Sequence, residues 1–207
     1  MVAGLGKWFE APVLSGRYVR LEPMSLDHVD GLLAMPQDKL VFEHLRYGPF
    51  HRREEAERYV REALADHESP LARRVPWIQL DVRDGGPGVV AGSTSYYEIH
   101  PEFRSITIGG TWLGTPWWRT GLNTESKLLL LQRAFDDLGA VRVVWHADIR
   151  NTRSQEAIAR LGATREGVLR KHMPRRDGSW RDSVKFAMTD EDWPGVRDQL
   201  TARLEAS

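Results

Sequence analysis

The sequence predicts a single α/β domain of the α+β kind, with a mixed, mostly antiparallel sheet of six to seven strands flanked by helices. Three observations predict it. Strand-like stretches follow one another over residues 75–82, 89–99 and 104–113, joined by short turns, as in an antiparallel meander. Strand-like and helix-like stretches then alternate through the second half, which makes the sheet mixed. The chain has 207 residues, a length at which one domain buries roughly 70% of its unfolded surface.

Taken in order, residues 1–16 contain glycine and proline without periodicity and read as an extended lead-in. Residues 17–21 alternate as a first strand, closed by Pro23. Ser25 opens a short helix in which Leu26, Val29, Leu32 and Leu33 recur at helical spacing. A second helix over 53–65 places Ala56, Tyr59, Val60, Ala63 and Leu64 on one face. Its acid-before-base pairs, Glu54–Arg58 and Glu57–Arg61, lie four apart. Asp84-Gly85-Gly86-Pro87-Gly88 separates the first two meander strands with hairpin chemistry, and His100-Pro101-Glu102 turns the second into the third. A long helix from about 123 to 138 follows, stopped by Gly139. Residues 141–147 form a short strand, Asn151 or Thr152 caps the next helix, and Leu161-Gly162 ends it. Strands around 167–172 and 179–188 are linked by residues 174–178. Thr189 is expected to cap a last helix with Pro194 in its first turn. The domain proper is expected over 17–194, with a C-terminal helix and tail over 195–207.

Acidic and basic residues balance at 29 each, so net charge offers no case for nucleic acid or a membrane surface. With no cysteine, disulfides, thiolate metal sites and a cysteine nucleophile are excluded. The first residues do not make a signal peptide, and the longest apolar run, 128–131, is too short to span a bilayer. The expected location is cytoplasmic. Seven scattered histidines lack ligand spacing, so no metal is expected. Residues 165–185 carry seven Lys/Arg against three Asp/Glu. That run fits a phosphate group, an acidic partner, nucleic acid or merely a solvated pair of strands.

The chemistry concentrates in residues 112–125, WLGTPWWRTGLNTE. A strand ends, a proline turn follows, and a helix begins at a glycine. A helix N-terminus offers unpaired N–H groups and partial positive charge, which suits phosphate where the backbone can be approached closely. Gly121 permits approach, Arg119 adds a cation, and Thr120 and Thr124 add hydroxyls. Alone, the stretch also fits an ordinary strand–turn–helix junction.

This turn resembles the coenzyme A pyrophosphate loop of the GNAT superfamily of N-acyltransferases, and in particular its Rim-type, ribosomal-protein N-terminal acetyltransferase branch. Trp118 takes the first position of the loop motif and Gly121 its central glycine, while Asn123 departs from the usual small residue. A second motif lies about 30 residues on: Asn151-Thr152-Arg153-Ser154, then Ala157, Leu161-Gly162-Ala163 and Glu166-Gly167, similar to the family's Asn-x-x-Ser … Leu-Gly … Glu-Gly signature. Residues 182–193 resemble its closing strand and Glu-Trp-Pro-like ending.

The resemblance implies a sheet splayed between the fourth and fifth predicted strands, with acyl-pantetheine in the opening. It implies acetyl-CoA as acyl donor, a primary amine as acceptor, direct attack of amine on thioester, and a homodimer. The cofactor-binding residues would be Thr111, Leu113, Trp118, Arg119, Thr120, Gly121, Leu122, Asn123, Thr124, Asn151 and Ser154. Thr111 and Leu113 would act through their backbones, a backbone N–H near Leu113 would hold the oxyanion, and Ser154 would serve the departing thiolate. Two customary side chains are replaced: Ile108 stands for a glutamate and Ile158 for a tyrosine. Candidate bases are therefore His146, Asp148 and Asp182, with water as a further carrier. A larger donor such as succinyl-CoA, or a CoA-binding module without catalysis, are the alternative readings.

Overall fold

The computed structural model describes residues 5–69 and 74–206. In chain order its elements are β1 (Leu14–Ser15), β2 (Val19–Pro23), α1 (Val29–Ala34), α2 (Lys39–Phe42), α3 (Arg53–Glu68), β3 (Val75–Asp81), β4 (Val89–His100), β5 (Ser105–Leu113), α4 (Gly121–Gln132), β6 (Arg142–Asp148), α5 (Thr152–Ala159), β7 (Thr164–Pro174), β8 (Trp180–Thr189) and α6 (Trp193–Glu205). The strands form one sheet in the order β1-β2-β3-β4-β5-β6-β8-β7. Every pairing is antiparallel except β5 with β6.

The meander forms because its strands carry apolar or small side chains over both faces: the first six residues of β3 are all buried. On α3, Ala56, Tyr59, Val60 and Ala63 are buried, as the period demands. Glu57 and Arg61 approach to 3.6 Å, whereas Glu54 and Arg58 form no ion pair among the described residues. Ser25 accepts the Asp27 N–H at 3.3 Å and starts a single 3-10 turn, Leu26–His28, that leads into α1.

Several boundaries differ from expectation. The two-residue β1 and the one-turn α2 are too short to leave a periodic pattern, and β1 makes the sheet eight-stranded. The helix expected at 123–138 begins at Gly121 and widens into a π turn over Arg133–Asp137. Thr189 does not cap α6, which starts at Trp193. Its N–H and hydroxyl instead donate to Asp192 at 2.9 and 2.8 Å.

Two features position the functional region. Glu125 on α4 is buried, and its carboxylate accepts three N–H groups at the start of the sheet: Arg17 at 2.8 Å, Tyr18 at 2.6 Å and Val19 at 2.8 Å. The start of α4 is thereby fixed to β2. The second is a fork: β5 and β6 pair only over Ser105–Thr107 and Arg142–Val144, and beyond that point they part.

Candidate active site

The fork opens beside a β-bulge. Ser93 and Ser95 on β4 face Trp112 and Gly109 on β5, so β5 carries an extra residue between them. Gly110 lies in this bulge with φ 58°, a left-handed conformation that glycine adopts without Cβ strain. Past the bulge, the Gly114 N–H donates to the Ala91 carbonyl, and Leu113 lies opposite Gly92. Antiparallel pairs alternate between bonded and non-bonded, so the N–H and C=O of Leu113 point away from β4, towards the fork. The indole N–H of Trp118 donates to that carbonyl at 2.8 Å.

From β5 the chain turns through a 3-10 segment, Thr115–Trp117, into α4. Arg119 has φ 60°. Thr120 is the N-cap, its hydroxyl oxygen accepting from Leu122 N–H at 3.3 Å. By helix geometry the N–H groups of Thr120, Gly121 and Asn123 have no intrahelical acceptor. A Cβ on Gly121 would come within 3.3 Å of the Tyr18 ring, so the glycine also serves packing. Arg119 is exposed beside these groups. Across the mouth of the fork, the Arg153 guanidinium lies 3.9 Å from the centre of the Trp118 ring. Burial draws its pKa below the usual arginine value. This set, a helix N-terminus with two arginines, is chemically suited to a pyrophosphate.

On the β6 side, Asn151 accepts the Ser154 N–H at 3.0 Å and caps α5. The Ser154 hydroxyl makes no hydrogen bond among the described residues. Asp148, 3% exposed, is held by Arg175 at 2.7 and 3.0 Å and by the Arg150 N–H at 2.9 Å. Burial pushes its pKa up, but these bonds outweigh burial and hold it below the usual carboxylate value. Asp182 accepts the Lys171 N–H at 2.7 Å. His146 Nδ1 lies 4.0 Å from Glu98, and its ring is 4.9 Å from that of His172. Burial first, then His172, Lys185 and Arg181, push His146 down to about 4, against the opposing pull of Glu98. Ile108 and Ile158 are buried in the core, where neither can carry a proton.

The chain matches the family model described as an acetyltransferase (GNAT) domain over residues 19–164. It belongs to the GNAT acetyltransferase family. Among solved structures, a candidate acetyltransferase from T. thermophilus is 39% identical, with 94% of this chain and 98% of that one covered and a TM-score of 0.82. A GCN5-related N-acetyltransferase from Brucella melitensis is 30% identical, with 94% and 86% covered and a TM-score of 0.85. Mycobacterium smegmatis RimJ, solved in complex with CoA-disulfide, shares the fold at 20% identity, with 95% and 96% covered and a TM-score of 0.72. No protein of curated function matches the chain. Among the described residues no helix is long and apolar enough to cross a membrane.

The GNAT fold also brings together residues that sequence reasoning missed. Lys127, 4% exposed on α4, donates to Thr111 Oγ1 at 2.9 Å and Thr94 Oγ1 at 3.4 Å. Burial lowers its pKa to about 7. Nothing in the sequence around it marks this lysine as buried. Glu98, His146 and His172 present ligand atoms within 4.8 Å of one another, although they are distant in the chain and lack ligand spacing. Lys185 and Arg181 act on His146 as cations, which opposes a metal ion there as it opposes a proton. Arg153 stood inside the quoted motif, yet nothing in the sequence marked its contact with Trp118.

Proposed function

We propose that the protein is an N-acetyltransferase that moves the acetyl group of acetyl-CoA to a primary amine. The observation that carries this reading is the β5–β6 fork, with a bulge at Gly110 and a helix N-terminus at its mouth. The unpaired N–H groups of Thr120, Gly121 and Asn123, with Arg119 and Arg153, hold the pyrophosphate. Trp118 and Leu122 shape this turn, and the Thr124 hydroxyl lines it. The pantetheine arm runs along the open edge of β5 at Thr111 and Leu113, with Asn151 facing it from the other side.

The amine nitrogen attacks the thioester carbon, and the Leu113 N–H stabilises the oxyanion. As the N–C bond forms, the nitrogen sheds its proton to water beside His146 and Glu98, and the imidazole, lowered to about 4, orients that water without keeping the proton. The C–S bond then breaks, and the Ser154 hydroxyl donates to the thiolate. The products are an N-acetylated amine and free CoA. Asp148 braces the loop through Arg175 in this scheme, because an ion-paired carboxylate is a weak base.

Calorimetric titration with acetyl-CoA and CoA, followed by thiol-release assays over a panel of amines, tests the proposal. Micromolar binding with turnover on an amine is expected. Binding without turnover on any amine would favour a CoA-binding module, the reading that Ile108 and Ile158 motivate. No binding would remove both.

A further inference from the structure

Beyond the end of β6 lies a cavity of about 440 Å³. Its walls come from the segment after α2, the end of β6 and the β7–β8 hairpin. That segment straddles the fork. The Tyr47 hydroxyl donates to the Gly110 carbonyl at 3.3 Å, and Arg176 on the hairpin donates to the Gly48 carbonyl. The cavity therefore faces the widest part of the opening, where an acceptor would have to approach a thioester held along β5.

The lining is strongly cationic in a chain whose overall charge balances. It holds five arginines against Glu43, Asp148 and Asp177. Asp148 is consumed by Arg175, and Asp177 Oδ1 is turned onto Ser179 at 2.7 and 2.9 Å. Arg46, Arg150, Arg176 and Arg181 form no ion pair among the described residues. Arg181 is the telling member. It is half-buried, its Nε donating to Ser183 Oγ at 2.8 Å and an NH2 to the His146 carbonyl at 2.9 Å. It is thus fixed in direction beside the fork, and burial lowers its pKa. Asp148 acts on it only at longer range and is already bonded to Arg175, so the guanidinium lacks a carboxylate of its own, and an incoming carboxylate matches its two-pronged N–H edge bidentately.

We infer that this cavity is the acceptor subsite and that Arg181 receives a carboxylate carried by the acceptor amine, so that the preferred substrates are acid-bearing amines. This rests on the acetyltransferase reading above. The same chemistry has a second source, the acyl chain of a donor such as succinyl-CoA, and the test separates the two.

The experiment measures kcat/KM with acetyl-CoA on matched acceptors, Gly-Glu against Gly-Gln amide, for the intact protein and for Arg181→Gln. It adds calorimetric titration of both proteins with glutarate alone. A preference of about tenfold or more for the acidic acceptor is expected, on the scale of one charge-assisted contact. Arg181→Gln should level it mainly through KM, with CoA affinity unchanged, and should abolish glutarate binding. Equal rates on both acceptors, with no glutarate binding, overturn the inference. A preference for succinyl-CoA over acetyl-CoA that disappears in Arg181→Gln would move the carboxylate to the donor and overturn the acceptor assignment. Glutarate binding lost in Arg181→Gln, without turnover on any amine, would keep the anion subsite and sink the enzymatic reading instead.

Discussion

Lys127 Nζ donates to Thr111 Oγ1 at 2.9 Å, joining the interior of α4 to the bulged strand that borders the fork. Two hydroxyls satisfy this amine, but no carboxylate among the described residues neutralises it. Burial lowers its pKa from 10.5 to about 7, so the native state releases a proton that the unfolded chain keeps until near 10.5. The destabilisation is complete below pH 7 and fades as pH rises from 7 towards 10.5. Lys127→Met removes this linkage. The stability gain of the variant should be largest near pH 6 and shrink by about pH 9, read from denaturant melts across that range. A gain that does not change with pH would mean that the amine titrates normally in the fold.

Glu125 is a structural carboxylate at the start of the cofactor loop. It accepts three N–H groups from residues 17–19, two of them buried, and an amide replacing it would turn an NH2 towards at least one of them. Glu125→Gln should cost about 2–3 kcal/mol, or roughly 5–10 °C in Tm for a domain of this size. CoA affinity should fall as well, because β2 anchors the start of α4. A variant within about 1 °C of the parent would show that water replaces the carboxylate.

The strength of local signals explains what the sequence revealed. The meander was legible because β3, β4 and β5, though bulged, are long strands punctuated by Gly and Pro turns. The cap of α5 was legible only as Asn151 or Thr152, and the structure gives it to Asn151, whose side chain accepts the Ser154 N–H. The fork itself came from resemblance and not from periodicity, since the pattern of β5 and β6 says nothing about where their pairing ends. Lys127, Arg181 and the Glu98–His146–His172 group were invisible for a common reason. Each owes its character to long-range burial or to neighbours on other strands.

Gly121 sits where a phosphate would meet the helix and where a Cβ would press on Tyr18. Gly121→Glu should remove measurable CoA binding, through steric block and like-charge repulsion. Gly121→Ala, which asks the Tyr18 ring to give by a few tenths of an ångström, serves as the packing control and should retain most affinity. Calorimetry on both variants distinguishes the effects. Unchanged affinity in Gly121→Glu removes the loop assignment.

Ser154 lies in the first turn of α5 with a hydroxyl unpaired among the described residues, on the side of the fork opposite Leu113. A donor that meets only the departing sulfur contributes to the transition state and little to ground-state binding. Ser154→Ala should therefore lower kcat by about tenfold to a hundredfold, with KM for acetyl-CoA within about twofold. Equal kcat in the variant assigns the serine to packing.

His146 gives the fold an acid-sensitive element. Burial, with His172, Lys185 and Arg181 as further opposing groups, lowers its ring from 6.5 to about 4 despite Glu98. Above pH 6.5 the ring is neutral in both states and contributes no pH dependence. Between 6.5 and 4 the unfolded chain binds a proton that the native ring refuses, so stability falls as acid is added. His172 is shifted in the same direction, chiefly by burial and then by Arg181, and adds to the slope. His146→Phe keeps an aromatic ring between β5 and β8 and deletes the proton. Denaturant midpoints measured from about pH 7 to about pH 4.5 should fall more steeply for the parent than for His146→Phe. Parallel curves would place the imidazole in ordinary contact with solvent, and would also restore it as a base of ordinary strength at neutral pH.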